Sequence, residues 1–395
     1  MMILPSYEDR EQTAVKHQVL ERYLSAFAPI VGDWASDITY VDCLAGPWES
    51  ADPNLRDTSF ARAIEVLRAT RTILATRGKS PTMRCLFIEK DPIAFGKLKQ
   101  YCDRIADIEV APRHWDFTAH IADVVRFARD KGNSFPFVFI DPKGWEPLQL
   151  ELITPILSLT PGEVLINLMT SWIRRFLSDG SKGFDRLVGG DLSRLVRLRG
   201  EEQEEELVRS YSNALRTAGQ FKYVCTLPVM KANQDAFHFH MIYCTRHIKG
   251  VEVFKATERN VIPFMHETRA QAQERRRFQQ SGQHSLFQAQ AHYKEKKFTQ
   301  YQLRSLEAAK SEVRRMLQCS GQLLYDDAWA TVMQHPAVME GDFRQWLTEW
   351  KASGLLEITN QAPSQRLARK GQGQYLKWSG KQETQSDRPL SKSRK

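Results

Sequence analysis

No apolar stretch of this 395-residue chain approaches the ~20 residues that a membrane span requires, and pure apolar runs such as Val164-Leu165-Ile166 stop after a few. Nor does the segment Met1-Met2-Ile3-Leu4-Pro5-Ser6-Tyr7-Glu8-Asp9 carry an apolar core followed by small residues, so the expectation is a cytoplasmic protein with no membrane partner. Cysteine is sparse: six residues, at 43, 85, 102, 225, 244 and 319, with no CxxC pair. That excludes zinc ribbons and iron–sulfur motifs, leaves no metal centre to expect, and fits reduced, buried thiols. No internal repeat is present. Excess charge is also missing from most of the chain. The net charge is +9, but residues 361–395 hold nine Lys/Arg against two Asp/Glu, which leaves only +2 for the rest. A polyanion contact at the C-terminal end fits this placement better than a uniformly basic enzyme.

What is present is an alternation. Apolar residues Val19, Leu20, Tyr23, Leu24, Phe27 and Ile30 recur at helical spacing and predict a helix over residues 14–30. Strands are expected at 38–43, 83–89, 108–111, 135–141, 163–168, 221–229 and 236–245, with helical patterns between the first five. Strand–helix alternation implies a parallel sheet covered on both faces. Only residues 230–235 separate the last two strands, which must therefore pair as an antiparallel hairpin. The predicted fold is α/β, a Rossmann-like class I methyltransferase sheet of seven mostly parallel strands, over residues 1–265. Residues 266–298 read as a polar linker or solvated helical arm. Helices over Gln302–Leu317 and Asp326–Gln334, a third opened by Asp342 as N-cap, and strands around Leu355–Ile358 and Gln374–Trp378 predict a winged-helix-like α+β domain at 299–380. Residues 381–395 read as a disordered basic tail.

Four consecutive strands end in acids: Asp42, Glu89, Asp116 just after the third, and Asp141. In an open α/β sheet these carboxyl ends line the ligand crevice, so the four are expected to meet. The turn Cys43-Leu44-Ala45-Gly46-Pro47 has a Gly where backbone can approach a ligand. Glu89 suits a ribose diol, and Asp116 an adenine amino group, with Trp115 or Phe117 against the ring.

These stretches resemble the three-Cys-motif partner proteins (TcmP), bacterial proteins with a class I S-adenosylmethionine methyltransferase-like fold. The resemblance lies in Lys16-His17 with Leu20 and Tyr23, in Tyr40-Val41-Asp42-Cys43-Leu44-Ala45-Gly46-Pro47, Phe87-Ile88-Glu89, Phe139-Ile140-Asp141-Pro142-Lys143-Gly144, and Leu165-Ile166-Asn167-Leu168-Met169 with Arg174-Arg175, and it covers residues 16–255. It implies S-adenosylmethionine as cofactor, held by Asp42, Ala45, Gly46, Pro47 and Glu89, to which the strand-end reading adds Asp116 and Phe117, and it implies a partner that carries a cysteine triad and looks like a radical-S-adenosylmethionine protein. It implies no particular reaction. Trp48 stands where the family continues Ala-Gly-Pro-Gly. The 47 residues from Asp42 to Glu89 exceed the ~20 of a simple dinucleotide unit, so an extra loop and helix at 48–77 are expected to cap the site.

Asp141-Pro142-Lys143-Gly144-Trp145 is similar to the Asp-Pro-Pro-aromatic motif of amino-group methyltransferases, with Lys143 in place of the second proline and the aromatic one position late. Asp141, Pro142, Lys143 and Trp145 are thus the catalytic candidates, Asp141 orienting an amine. Asn167, Arg174 and Arg175 are candidates for a substrate phosphate or carboxylate. Arg366, Arg369 and Lys370 in the expected wing suit nucleic-acid phosphates, DNA or RNA. His238 and His240 are half of a metal-ligand pattern, but with no acid or Cys nearby they read as strand histidines, and Cys43 reads as core. The expected function is methyl transfer from S-adenosylmethionine to a nucleic-acid or nucleotide-like amine. The alternatives are a non-catalytic methyltransferase-like subunit and a DNA-binding component of a mobile-element or phage-defence locus.

Overall fold

In the computed structural model the residues described are 5–47, 50–173, 184–189, 192–281, 296–362 and 365–380. The chain forms two compact units, Met1–Gln300 and Tyr301–Lys395. Among the described residues no helix is long and apolar enough to cross a membrane.

The first unit is built on seven strands: β1 (Asp37–Asp42), β2 (Thr82–Glu89), β3 (Glu109–His114), β4 (Ser134–Ile140), β5 (Glu163–Leu168), β6 (Tyr223–Met230) and β7 (Phe237–Thr245). Their spatial order is β3-β2-β1-β4-β5-β7-β6. The first five run parallel, and β7 lies antiparallel between β5 and β6. This order with one reversed strand is the class I methyltransferase arrangement. Each parallel step needs a crossover helix. These are α2 (Ser59–Thr76), α3 (Pro92–Cys102), α4 (Ile121–Arg129) and α5 (Leu150–Leu157), preceded by α1 (Glu11–Gly32). After β5 come α6 (Phe184–Val188), α7 (Ser193–Arg197) and α8 (Gly200–Gly219), and after β7 the long α9 (Ile248–Ser281).

Side-chain alternation along the strands divides the core into two layers. Val41, Leu86, Val138, Ile140 and Ile166 point to one face and join Val124 of α4, Ile153 of α5 and Leu207 and Tyr211 of α8 in one buried cluster. Their neighbours Tyr40 and Phe137 point to the other, where Phe137 stacks on Tyr23 of α1 at 5.3 Å and on Tyr40 at 6.3 Å. Polar pairs fix register within this core. Arg84, fully buried, donates to both oxygens of Asp37 at 2.9 and 3.0 Å, and Ser134 adds a third bond to that carboxylate at 2.6 Å. Glu163 takes Tyr23 Oη at 2.5 Å and Thr245 Oγ1 at 2.8 Å.

Two sequence expectations change here. Of the two readings of the polar stretch from 266, a linker or a solvated helical arm, the helix holds to Ser281 as part of α9 but is not fully solvated: Arg269 is only 2% exposed and bonded to the Gln234 carbonyl at 3.1 Å, and Arg275 is ion-paired to Glu11. Those polar residues serve to grip the β6–β7 turn and α1, while 282–295 lie outside the described residues. Nor is α2 an added cap, since it is the crossover helix that β1 and β2 require; the excess length is the loop at 50–58.

The second unit contains α10 (Lys296–Ser320) from Tyr301 on, then β8 (Gln322–Leu324), α11 (Tyr325–Met333), α12 (Glu340–Ala352), β9 (Leu356–Thr359) and β10 (Tyr375–Trp378). The strands form an antiparallel sheet in the order β8-β10-β9 around buried Trp329, Phe343, Trp350 and Leu376. Asp342 is not the N-cap of α12. It sits at the third helical position, and its Oδ2 accepts from the backbone N–H of Met339 at 2.7 Å, satisfying one orphan donor from inside the first turn. The basic tail, 381–395, lies outside the described residues.

Candidate functional site

The carboxyl ends of β1, β2, β4 and β5 carry Asp42, Glu89, Asp141 and Asn167, and the turn after β1 is laid between its two neighbours. Cys43 donates its backbone N–H to the Phe139 carbonyl of β4 at 3.0 Å, and Ala45 to the Ile88 carbonyl of β2 at 2.7 Å. The Ala45 N–H is therefore spent on the scaffold, Ala45 and Pro47 are buried, and the N–H of half-buried Leu44 is bonded to Asp42 Oδ1, which leaves half-buried Gly46, without a side chain, as the approachable point of the turn. Cys43 is buried and its thiol is pushed well up by that burial, as befits a packing residue.

Asp42 is fully buried. Its Oδ2 accepts from Ser59 Oγ at 2.5 Å and its Oδ1 from the Leu44 N–H at 3.3 Å. Ser59 opens α2, whose N-cap Thr58 accepts from the Ala61 N–H at 3.4 Å, so the helix start holds the acid in place. Burial, reinforced by the nearby Asp141 carboxylate, raises Asp42 to about 6 against the pull of Ser59.

Asp141 is held from two sides. Lys16 of α1 donates to its Oδ2 and forms an ion pair with it, and Asn167 Nδ2 donates to Oδ1 at 2.6 Å. Asn167 is 2% exposed, and its own Oδ1 is buried without a hydrogen-bond partner. The lysine is held by its neighbourhood. The next residue, His17, is buried and bonded to Tyr7 Oη at 2.8 Å, and Arg62 Nε of α2 donates to the same hydroxyl at 2.9 Å. Burial and the adjacent cations push His17 well below the usual imidazole range, so it stays neutral. Asp57, also buried, collects Arg10 at 2.8 Å, the Ala51 N–H at 3.0 Å and the Ser50 hydroxyl, tying the 50–58 loop to α1.

Glu89 lies at the end of β2, 4% exposed, and accepts from the Asp91 N–H at 2.7 Å. Asp116 plays a structural part, capping the short 3-10 turn Phe117–Ala119 by accepting from the Thr118 N–H at 3.0 Å and hydroxyl at 2.7 Å. Those bonds hold it below the usual carboxylate range, and its half-exposed side chain lies 3.7 Å from Lys90. Phe117 is a correction. It is 3% exposed and packed in the core with Ile121 and Val124, so it cannot lie against a nucleobase. Trp115, half-buried and stacked on His120 at 4.6 Å, is the aromatic ring beside Glu89, whose carbonyl accepts from its N–H at 3.2 Å.

After Asp141, Pro142 is buried and Lys143 exposed. Trp145 is the second correction: its ring packs 4.4 Å from that of buried Phe184, which takes one face from any stacking role. Arg174, Arg175 and Trp48 lie outside the described residues. In the second unit, Lys370 Nζ sits 4.4 Å over the Trp329 ring, and the backbone of Arg366 and Arg369 is bonded to Lys351 Nζ and Gln374 Oε1. His240 is buried beside Thr170 at 3.2 Å and driven down to about 4 by burial, and no cluster of three metal-ligating side chains exists among the described residues. Sequence reasoning places Lys16 in a matching stretch but gives it no role; its partner is 125 residues away, and only the fold joins them.

No protein-family model matches the chain, and no curated protein matches it. Among solved structures it is similar to a Legionella pneumophila protein of family DUF519, with 12% identity, coverage of 60% of this chain and 85% of that one, and a TM-score of 0.35. It is also similar to human methyltransferase-like protein 13 in complex with SAH, with 10% identity, 63% and 91% coverage and a TM-score of 0.33. A third is loganic acid methyltransferase with SAH, with 10% identity, 70% and 90% coverage and a TM-score of 0.30. The fold assignment rests on the strand order itself.

Proposed function

We propose that the chain is an S-adenosylmethionine-dependent methyltransferase acting on an exocyclic amine of a nucleotide-like acceptor, working with a three-Cys-motif partner as the sequence resemblance implies. The observation that carries the reading is the Lys16–Asp141–Asn167 arrangement at the ends of β4 and β5, one strand over from Asp42. The half-buried Asp141 carboxylate and the orphaned Asn167 Oδ1 are two hydrogen-bond acceptors on directly bonded neighbours. An amino group has two N–H donors to offer them, and accepting both leaves the nitrogen lone pair free. A hydroxyl acceptor has one donor and would leave one of the pair unsatisfied.

The cofactor fits the acids on the flanking strands. Glu89 would hold the ribose hydroxyls, and Asp42, behind Gly46, the positively charged methionine end. S-adenosylmethionine supplies an electrophilic methyl group on a sulfonium. The protein's part is then alignment: Asp141 and Asn167 aim the amine, and the turn at 43–47 fixes the floor between β2 and β4. No strong base is needed for a neutral amine, and Asp141 stands within reach of the proton the nitrogen sheds.

Calorimetric titration of S-adenosylmethionine and S-adenosylhomocysteine is the test. Micromolar binding, about 8 kcal/mol, abolished by Glu89→Ala, supports the reading. No heat with the wild-type chain, alone or with its three-Cys partner, overturns it and leaves the non-catalytic subunit. A second reading concerns residues 301–380: helix, strand, two helices and two antiparallel strands follow one another in winged-helix order, which favours a docking module for nucleic acid.

A further inference from the structure

A groove of about 1120 Å³ runs between the outer faces of α2 and α3, walled at one end by α1 and the loop at 50–56. On α3 and just beyond it, Lys97, Gln100, Tyr101 and Arg104 follow at helical spacing and so share the face that lines it. On α2, Arg62 and Arg68 line the opposite wall, but both are committed: Arg62 to Glu21, and Arg68 to Glu65 and Asp107. Arg56, Lys97 and Arg104 are different. All three are exposed, and among the described residues none is in an ion pair. The lining carboxylate left over is Asp52, whose Oδ1 accepts from the Asn54 N–H at 2.8 Å. Half-buried Tyr101, edge-on to Phe60 at 5.1 Å, sits among these cations.

The groove and the site share a connecting segment. The groove wall at residues 50–56 is the loop that leaves the turn after β1 and returns to Ser59, the residue that donates to Asp42. We infer that the groove carries the phosphodiester backbone of a single-stranded nucleic acid, with Arg56, Lys97 and Arg104 on phosphates and Tyr101 offering a base its ring. Unpaired cations along a trough with an aromatic side chain are the recognition chemistry of single strands, whose bases turn outward to stack. A duplex keeps its bases paired inside and has no use for Tyr101. The inference deepens the proposed function by naming the polymer that bears the amine, and it rests on that reading for the link to methyl transfer.

Fluorescence anisotropy of the full chain with a short labelled oligothymidylate or oligouridylate, without cofactor, tests it across a salt series. Expected is binding that weakens with salt at a log–log slope of about −2, the figure for three phosphates on a single strand. The triple variant Arg56→Ala/Lys97→Ala/Arg104→Ala should bind at least about tenfold more weakly with a flattened slope. The double variant Lys79→Ala/Lys131→Ala, which removes two exposed cations outside the groove, should bind as the wild type does. Unchanged binding in the first variant, loss only in the second, preference for a duplex of the same sequence, or no binding at low salt each overturns the inference. All three groove residues are on the surface, so the melting temperature should hold. Calorimetry of S-adenosylmethionine on the groove variant separates the two failures: a variant that keeps the cofactor but not the oligonucleotide isolates the groove, and a wild type that binds oligonucleotide but no cofactor sinks only the methyltransferase reading.

Discussion

Asn167 Nδ2 donates to Asp141 Oδ1 across the ends of two neighbouring strands, at 2.6 Å. The register makes the pair: Phe139 and Ile140 of β4 lie opposite Leu165 and Ile166 of β5, so the next residue on each strand meets its counterpart. Asn167→Asp would set two carboxylates where one amide now donates. Their repulsion raises the pair's pKa values, so the variant should be destabilised by about 1–3 kcal/mol at pH 8 and recover as the pH falls. Thermal melts at pH 8 and pH 5 check this; equal deficits at both would mean that the pair is not in contact.

Asp42 sets a pH limit on cofactor binding. With its carboxyl raised to about 6, half of the protein has lost the charge at that pH, and a cofactor whose methionine end is positive prefers the ionised form. Apparent affinity for S-adenosylmethionine should fall about tenfold between pH 7 and pH 5, and a Kd that stays flat over that range would remove Asp42 from the site.

The same shift bears on stability. Asp42 rises from 3.8 to about 6 on folding, so the folded state binds the extra proton and stability is lost as the pH climbs between those values. Asp42→Asn should therefore melt higher than the wild type at pH 8, by up to about 3 kcal/mol, while losing cofactor affinity. A variant that is less stable at pH 8 would contradict the raised pKa.

Arg84 and Asp37 form a buried pair at the opposite end of β1. Burial opposes the charge on Asp37, but the bonds from Arg84, Ser134 and Thr39 prevail and hold it below the usual carboxylate range. Its contribution is thus present at neutral pH and disappears only as the pH falls through that lowered value. Asp37→Ala leaves the guanidinium buried without its anion and should cost about 3–5 kcal/mol in urea unfolding, with Arg84→Met added on top restoring part of the loss. A cost under about 1 kcal/mol would show that the guanidinium's other neighbours, Thr39 Oγ1 at 3.1 Å and Asp130 at 3.6 Å, suffice.

Much of this was legible in the sequence. Seven strands, their hairpin and the acids at their ends follow from apolar runs that stop at Asp42, Glu89 and Ile140, because a buried parallel strand must be apolar along its length. Partners distant in the chain were not legible. Phe117 looks like any aromatic beside a binding acid until the 3-10 turn capped by Asp116 rolls it inward. The stretch at 266–281 reads as a linker or a solvated helical arm because its large residues are polar, yet within the helix Arg269 and Gln273 serve as tethers to the carbonyls of Gln234 and Ala232. β8 is three residues long and exists only through its pairing with β10, so no periodicity announces it.

The strand order also imposes a schedule on synthesis. β7 is made after β6 but lies inside it, filling the gap beside β5. A nascent chain that has emerged as far as Met230 therefore holds β5 with an open hydrogen-bonding edge and β6 with nowhere to pair, the state most prone to sticking to another copy. Closure waits for Thr245 to leave the ribosome, so a pause or a truncation between these two residues is the most hazardous interruption this sheet can suffer.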